Sequence, residues 1–309
     1  MIISNIFRFL AGCLSAWYPN NQISKNKDTK LRKYIISKIK IIQINNNNLQ
    51  KTHQIFNQKI IHLLQSKNLK NFLRKNFIQK MFFLQNRLFI YEELKELKKL
   101  KKWNFYKNLL IEDSIGNPIR FFLYFKSSGN KINHVYHLSV LENELKIDLK
   151  KKIKKVFEFG GGYGCMARIF SKINKDIKYT CFDTNYVNLL QYYYLSHNNL
   201  NVGFIRNKQF FLNSKFENTN EKNDLFIANW SLSETPIQFR NKFYLKIANS
   251  KYIFICFQEK FENINNLKYF NNLKFKLEKK FDIRIIKNRF YKGNFVFKQN
   301  HYFFIGRKL

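Results

Sequence analysis

Cysteine is sparse and unpatterned: there are four in 309 residues, none spaced C-x-x-C. Cys13, Cys165, Cys181 and Cys256 therefore form neither a zinc framework nor an evident disulfide set. Their scatter over apolar segments fits reduced, buried thiols in a cytoplasmic protein. Proline is scarcer still, at three. No apolar run is long enough to read as a membrane span. Met1 to Tyr18 comes nearest, but Arg8 interrupts it and no basic segment precedes it. We expect it to be a helix packed on the body, or a weak contact with a membrane surface. Acidic residues are also few, 20 against 56 Lys and Arg, for a formal charge of +36. That charge has the look of a nucleic-acid signal. The surplus residues, however, are Lys, Asn, Ile and Phe, whose codons are rich in A and T, and the lysines run along the whole chain. A basic nucleic-acid face would be rich in Arg and concentrated in one region. We read the charge as compositional drift and expect no nucleic-acid partner. Anionic partners such as lipid-linked or phosphorylated sugars remain favoured by it.

What is present is apolar and aromatic. Hydrophobic residues make up 45%, with 34 Phe and 17 Tyr, so the chain is not disordered. Three parts follow from the pattern. Residues 1–50 form an N-terminal segment whose Lys- and Asn-rich portion, Asn20 to Lys51, reads as a low-complexity linker or a loosely held helix. Residues 51–115 read as helical. In Tyr91 to Leu100, Leu94, Leu97 and Leu100 share a face, and Glu92–Lys95 and Glu96–Lys99 are spaced as i,i+3 pairs. We read no chemistry in that helix. Gly116-Asn-Pro118 is a turn, and after it, over residues 116–309, short apolar runs alternate with helical stretches. That grammar predicts βαβ units on a parallel sheet. Strands are expected near Lys155–Phe159, Lys178–Asp183, Val202–Arg206, Asp224–Asn229, Tyr252–Phe257, Asp282–Lys287 and His301–Arg307. Helices are expected between the first six, one opening at Thr235-Pro236. The last two strands are joined through Gly293-Asn294 without a helix, which predicts an antiparallel terminal hairpin.

The chemistry centres on Glu158-Phe-Gly-Gly-Gly-Tyr-Gly164, where a strand runs through a glycine turn into a helix. Gly160, Gly162 and Gly164 fit E-x-G-x-G-x-G, and Gly161 lies within the same turn. Glycines let the backbone turn sharply and lie against a ligand with no Cβ between. Gly162-Tyr-Gly164-Cys-Met-Ala167 also satisfies the dinucleotide pattern G-x-G-x-x-A. Glu158 ahead of the loop and the expected terminal hairpin favour S-adenosylmethionine instead. Glu158 would accept a hydrogen bond or balance charge near the methionine part. Asp183 closes the second strand, placed to bind both ribose hydroxyls, although alone it would serve equally as a helix cap. The fourth strand ends at Asn229-Trp-Ser-Leu-Ser-Glu234. Asn229 and Trp230 are expected to line the cofactor side of the cleft, and Ser231 and Glu234 to lie along it. The Asn-Pro-Pro-Tyr motif of enzymes that methylate exocyclic amines is absent here, which argues against base N-methylation. Glu234 reads as a general base for a hydroxyl or as a helix start. His134 and His137, in Asn130-Lys-Ile-Asn-His-Val-Tyr-His137, suit a base poised near neutral pH or a packed histidine. His301 is a weaker candidate. No third ligand stands near the histidine pair, so no metal is expected.

From Gly116 to Leu309 the chain resembles the sugar O-methyltransferase family found among bacterial surface-polysaccharide genes. The resemblance rests on Gly116-Asn-Pro118, Asn130 to Leu138, Glu158 to Arg168, Tyr179 to Asp183, Leu190-Gln-Tyr-Tyr-Tyr-Leu-Ser196 and Ser231-Leu-Ser-Glu234. Tyr163 and Ala167-Arg168 make the loop more specific than a general methyltransferase loop. Cys165 and Met166 depart from the pattern, standing where smaller or aliphatic residues are expected. The resemblance implies S-adenosylmethionine as donor and a glycan hydroxyl as acceptor. The expected fold is a Rossmann-like, seven-stranded α/β methyltransferase sheet with an antiparallel terminal hairpin, preceded by a helical region that covers the cleft or shapes the acceptor site. The expected reaction is in-line transfer, accelerated mostly by held geometry, with His137, His134 or Glu234 taking the hydroxyl proton. An RNA or protein methyltransferase, and a non-catalytic binding module on the same fold, are the alternatives.

Overall fold

The structure, a computed structural model, describes residues 10, 13, 23–44, 51–82, 88–217, 220–290 and 299–309. Most of Met1 to Tyr18, the run Asn45 to Asn48 and Gly293-Asn294 lie outside the described residues. The Lys- and Asn-rich stretch is helical over α1 (Lys25–Ile44). Leu31, Ile35 and Ile39 recur every four residues, so one face of α1 is apolar, and all three are buried. Helix α2 (Lys51–Gln65), a 3-10 segment (Leu69–Arg74), α3 (Asn76–Phe82), α4 (Leu88–Lys99) and α5 (Trp103–Leu109) follow. On α4, Leu94 and Leu97 are buried, and the pairs Glu92–Lys95 (2.7 Å) and Glu96–Lys99 (2.9 Å) form on its outer side. The turn at Gly116 docks on the 3-10 segment, with Leu73 N donating to Gly116 O at 3.0 Å.

A small ladder, β1 (Arg120–Phe121) and β2 (Tyr124–Ser128), leads into α6 (Gly129–Leu145) and the short α7 (Leu149–Lys152). Ser128 caps α6 by accepting from Lys131 N. The main sheet then builds from β3 (Lys155–Phe159), α8 (Cys165–Ile173), β4 (Lys178–Phe182), α9 (Asn185–His197), β5 (Val202–Gly203), β6 (Phe210–Asn213) and β7 (Asn223–Asn229). It continues through α10 (Ile237–Lys242), α11 (Tyr244–Ala248), β8 (Ser250–Gln258), the minor strands β9 (Lys260–Phe261) and β10 (Ile264–Asn265), α12 (Asn266–Leu277), β11 (Phe281–Lys287) and β12 (His301–Lys308). The strand order is β11-β12-β8-β7-β3-β4-β6-β5. β12 runs antiparallel to both β11 and β8, while the pairs β3–β4, β3–β7, β4–β6, β5–β6 and β7–β8 are parallel. This is the Rossmann-like α/β architecture expected, with its terminal hairpin and its helical N-terminal region.

Five expectations need correction. The sheet has eight strands rather than seven. Val202–Arg206 is a strand only over Val202–Gly203, and it forms the sheet edge; Phe210–Asn213 takes the place beside β4. No helix is present between these strands and β7 among the described residues. Burial explains the exchange: Phe210 and Leu212 point into the core, whereas Ile205 is exposed. Pro236 is the residue before α10, not its first residue, since Pro236 keeps an extended ψ of 144°. Cys13 is exposed, unlike the other three cysteines, which are buried and unpaired.

Strand alternation sorts the core into two layers. Phe157 and Phe159 of β3 face α10, α11 and α12 in a layer with Phe182, Phe226 and Phe243. Val156 and Glu158 face the other side, where α6, α8, α9 and the N-terminal helices share one apolar cluster. Glu158, the single charged residue of β3 that is buried, is thereby delivered under the glycine turn. Among the described residues no helix is long and apolar enough to cross a membrane.

Candidate active site

β3, β4 and β7 end at the same edge of the sheet, so Glu158, Asp183 and Asn229 are brought together although 71 positions separate the first and last. Ligands bind at this carboxyl edge in open α/β sheets. The glycine turn spans the gap between β3 and α8. Gly160, Gly162 and Gly164 all have positive φ, at 70°, 56° and 96°. Gly160 N donates to Phe182 O at 2.7 Å, which locks the turn to the end of β4. Ser231 sits directly on Gly160: its Oγ donates to Phe159 O, and its Cβ occupies the space an added Cβ would need. Gly160→Ala therefore combines left-handed strain of roughly 1–2 kcal/mol with overpacking of about 1–3 kcal/mol. We expect it to lower the unfolding free energy by about 2–5 kcal/mol in urea denaturation, with part recovered by adding Ser231→Gly. A Gly160→Ala protein as stable as the wild type would remove this packing account.

Glu158 is 3% exposed. Its Oε2 accepts from Tyr179 OH at 3.0 Å and lies 3.9 Å from Cys181 Sγ. A Cβ on Gly161 would stand 2.7 Å from the same oxygen, so the carboxyl lies directly beneath the turn. Burial pushes the Glu158 carboxyl up to about 8. Asp183 is half-buried. Its Oδ2 accepts from Gly162 N at 3.2 Å and its Oδ1 from Thr184 N at 2.8 Å. Burial raises it to about 7 against those two hydrogen bonds. The first ties Asp183 to the glycine loop; the second reaches only the next residue, Thr184, which is itself the N-cap of α9, so Asp183 is not the cap of that helix.

Gln191 was legible only as part of the Tyr-rich resemblance. It donates to Gly162 O at 2.9 Å and to Asp183 Oδ2 at 3.4 Å, clamping the loop to α9. Tyr163 turns away from the edge into the core, where Asn130 Nδ2 donates to its hydroxyl at 3.0 Å. Phe72 and Tyr194 pack edge-on against its ring. Phe82, at the end of α3, lies over Gly162: a Cβ there would meet Phe82 Cδ1 at 3.2 Å. The helical region thus reaches the glycine loop, and sequence spacing held no sign of which residue would do so.

Trp230 has φ 63° and begins the 3-10 turn Ser231–Glu234. Its N–H donates to Cys256 O at 2.8 Å, and its indole Nε1 donates to His301 Nδ1 at 2.8 Å. His301 is thereby joined to the site, with burial pushing it down to about 4. The turn is braced by residues the motifs did not name. Arg240 is fully buried and donates to Thr235 O, Ser233 O and Asn266 Oδ1, each at 2.6 Å. Ser233 Oγ donates to Gln258 Oε1 at 2.7 Å, and Gln258 Nε2 reaches the exposed Glu234 at 3.5 Å.

His137 is sealed in the interior. Its Nδ1 lies 3.1 Å from Asn229 Oδ1, its Nε2 lies 3.3 Å from Asn133 Nδ2, and Trp230, Phe254 and Phe303 surround the ring. Burial pushes it down to about 3, so it is neutral. His134, one turn earlier and half-buried, has Asn130 Nδ2 3.4 Å from its Nδ1, and burial pushes it down to about 4. The two histidines do not meet one ligand. Glu93, on the helix read as free of chemistry, is fully buried beside Asn133, which donates to its Oε1 at 2.8 Å.

No family model matches the chain, and no curated protein matches it. Among solved structures it is similar to the methyltransferase domain of a bacterial CtHen1, at 11% identity, covering 57% of this chain and 97% of that one, with a TM-score of 0.40. A protein of Thermoplasma acidophilum aligns at 12% identity over 72% and 98% of the two chains, TM-score 0.40. The mitomycin 7-O-methyltransferase MmcR aligns at 11% identity over 75% and 70%, TM-score 0.36. Likeness at this level carries no information on substrate.

Proposed function

We propose that this chain is an S-adenosylmethionine-dependent methyltransferase acting on a sugar hydroxyl. The observation that carries the reading is the constellation at the sheet's carboxyl edge: a three-glycine turn over a buried acid, Glu158, with Asp183 beside it at the end of the next strand. The reversed strand β12 supports a methyltransferase over a dinucleotide enzyme, whose sheet is ordinarily all parallel.

The residues fit the donor. S-adenosylmethionine supplies an electrophilic methyl group. Backbone N–H groups of the glycine turn approach a ligand closely because no Cβ intervenes. Asp183 offers two carboxylate oxygens for ribose hydroxyls, exchanging its present contact with Gly162 N. Glu158 and Asp183, both raised by burial, ionise readily when a cationic ligand arrives, which supplies the missing positive charge. Asn229 and Trp230 immediately precede Ser231, which packs on Gly160, and this reading sets them beside the donor. The sugar assignment draws on the resemblance of Asn130 to Leu138, the glycine loop and the Tyr-rich helix to sugar O-methyltransferases, and on the absence of a base N-methylation motif after β7.

Calorimetry with S-adenosylhomocysteine tests the donor. Binding to the wild type and loss of about a hundredfold in affinity on Asp183→Ala are expected, about 2.7 kcal/mol. No binding to the wild type, or undiminished binding by the variant, removes the reading. For the acceptor, labelled methyl is expected to pass to a glycan fraction. Transfer to RNA and not glycan would instead make the charge of +36 the informative feature.

A further inference from the structure

Five side chains at the end of β7 form one hydrogen-bonded chain. Glu93 Oε1 accepts from Asn133 Nδ2 at 2.8 Å, and the same amide nitrogen reaches His137 Nε2 at 3.3 Å. His137 Nδ1 faces Asn229 Oδ1 at 3.1 Å, and Cys256 Sγ donates to that oxygen at 3.1 Å. One proton assignment fits all of these contacts. Both Asn133 amide hydrogens are given away, so His137 Nε2 accepts and Nδ1 carries the hydrogen. Asn229 Oδ1 is then used twice, which fixes the orientation of its amide.

Two ends of this chain are left over. Glu93 Oε2 and Asn229 Nδ2 are buried and have no hydrogen-bond partner. Leaving such groups unmade costs roughly 1–3 kcal/mol each, a cost that natural cores mostly avoid. One end is a carboxyl oxygen and the other an amide donor. Hydroxyl groups both donate and accept, so a polyol matches the pair, whereas a thioether or an aliphatic acceptor matches neither.

A groove of about 310 Å³ lies alongside, lined by Glu96 and Leu100 on α4, Tyr136, Ser139 and Val140 on α6, and Phe303. Glu93 precedes Glu96 by one helical turn, and Asn133 precedes Tyr136 by one turn, so the polar chain continues the two helix faces that wall the groove toward β7. Burial holds the Glu93 carboxyl well above its ordinary range, which makes it a neutral partner for a neutral sugar.

We propose that Glu93 and Asn229 are hydroxyl-binding residues of the acceptor site, entered from the groove between α4 and α6, with Asn133 and His137 as positioning residues. This rests on the sugar methyltransferase reading and adds to it that the N-terminal helical region contributes directly to acceptor binding.

The test uses the full chain with S-adenosylhomocysteine present and the methyl glycosides of glucose, mannose and galactose as probes. At least one glycoside is expected to bind the wild type. The infrared carbonyl band of protonated Glu93, identified by its loss in Glu93→Gln, is expected to shift when it does. Glu93→Met, which removes the carboxyl hydroxyl that a glutamine amide would replace with another donor, is expected to weaken glycoside binding by at least about tenfold, one hydrogen bond's worth, while S-adenosylhomocysteine affinity changes by less than about twofold. Glu93→Asp, which keeps the acid but draws it back by one methylene, gives the same infrared comparison if the glutamine variant does not fold. An unmoved carbonyl band, equal glycoside affinity in wild type and variant, or no glycoside binding at all overturns the proposal. If S-adenosylhomocysteine binds normally in these cases, the donor reading survives and only the acceptor site is lost.

Discussion

Lys131→Met is expected to lower the unfolding free energy by about 3–5 kcal/mol, the scale of breaking a buried ion pair from one side. Lys131 is completely buried and lies 2.8 Å from both Glu112 Oε1 and Asp113 Oδ2. Burial alone would lower its ammonium, but Asp113 and Glu112 outweigh that and hold it above its ordinary value. Asp113 also receives Arg168 through Nε (3.1 Å) and Nη2 (2.8 Å), and Tyr194 OH at 3.3 Å. Glu112 receives Ser128 N at 3.2 Å. The cluster therefore joins the residues before β1 to α6, to α8 just after the glycine turn, and to α9. Methionine fills the volume but leaves Glu112 a buried charge with no cation. Urea denaturation of wild type and variant measures the difference. A loss under about 1 kcal/mol would show that the network tolerates the change and does not hold these helices together. Adding Glu112→Gln to Lys131→Met is expected to restore part of the loss, because it removes the stranded charge.

The second large effect is a pH dependence centred on Glu158. Its carboxyl moves from 4.5 to about 8 on folding, and Asp183 from 3.8 to about 7, both through burial. The folded protein thus binds more protons than the unfolded chain between these values. Stability contributed by a raised group is fully present below the unfolded pKa and is lost as pH rises through the folded one. A tenfold change in proton affinity is worth about 1.4 kcal/mol, so Glu158 accounts for roughly 4–5 kcal/mol lost between about pH 4.5 and 8. The many lysines impose their own acid-side slope, so the informative quantity is the difference from Glu158→Gln. That variant is expected to gain on the wild type by roughly this amount across the window, in denaturation series at about pH 5, 7 and 9. Parallel curves would mean that Glu158 is not held protonated. The same chemistry predicts that a cationic ligand releases protons on binding near neutral pH. Calorimetry in two buffers of different ionisation enthalpy reads that release directly.

Buried acids differ in how they could be found. Glu158 stands out in the sequence because an acid interrupts an apolar strand just ahead of three spaced glycines. Glu93 does not: in Tyr91-Glu-Glu-Leu it looks like one of two acids opening a solvated helix, and its neighbour Glu92 is indeed paired on the surface. A rotation of one residue, 100° on the helix, separates a surface ion pair from a buried carboxyl. Only the position of α4 against α6 decides between them. His137 shows the converse. Its type and spacing suit a base, but Asn133, Asn229 and Cys256 engage both ring nitrogens inside the protein.

By itself the sequence determined the parts whose contacts are local. The strand-turn-helix at Gly160 to Gly164 follows from a few consecutive residues. So do Asp183 at the end of β4, the antiparallel pairing of β11 with β12, and the apolar stripe of α4. Period and spacing are properties of short windows, and the backbone answers them directly. The tertiary structure decided what depends on distant residues. It placed Phe210 to Asn213 beside β4 in preference to the Val202 strand, because Phe210 and Leu212 find cover there. It set Ser231 against Gly160, Arg240 under the Ser231–Glu234 turn, Gln191 on the glycine loop and Phe82 over it. It also sealed His137 and brought Glu93 to the end of β7, across 136 positions of chain. Such contacts arise from how packed elements share volume, which no local pattern records. The glycine turn was therefore legible in the sequence, while the walls around it came from packing.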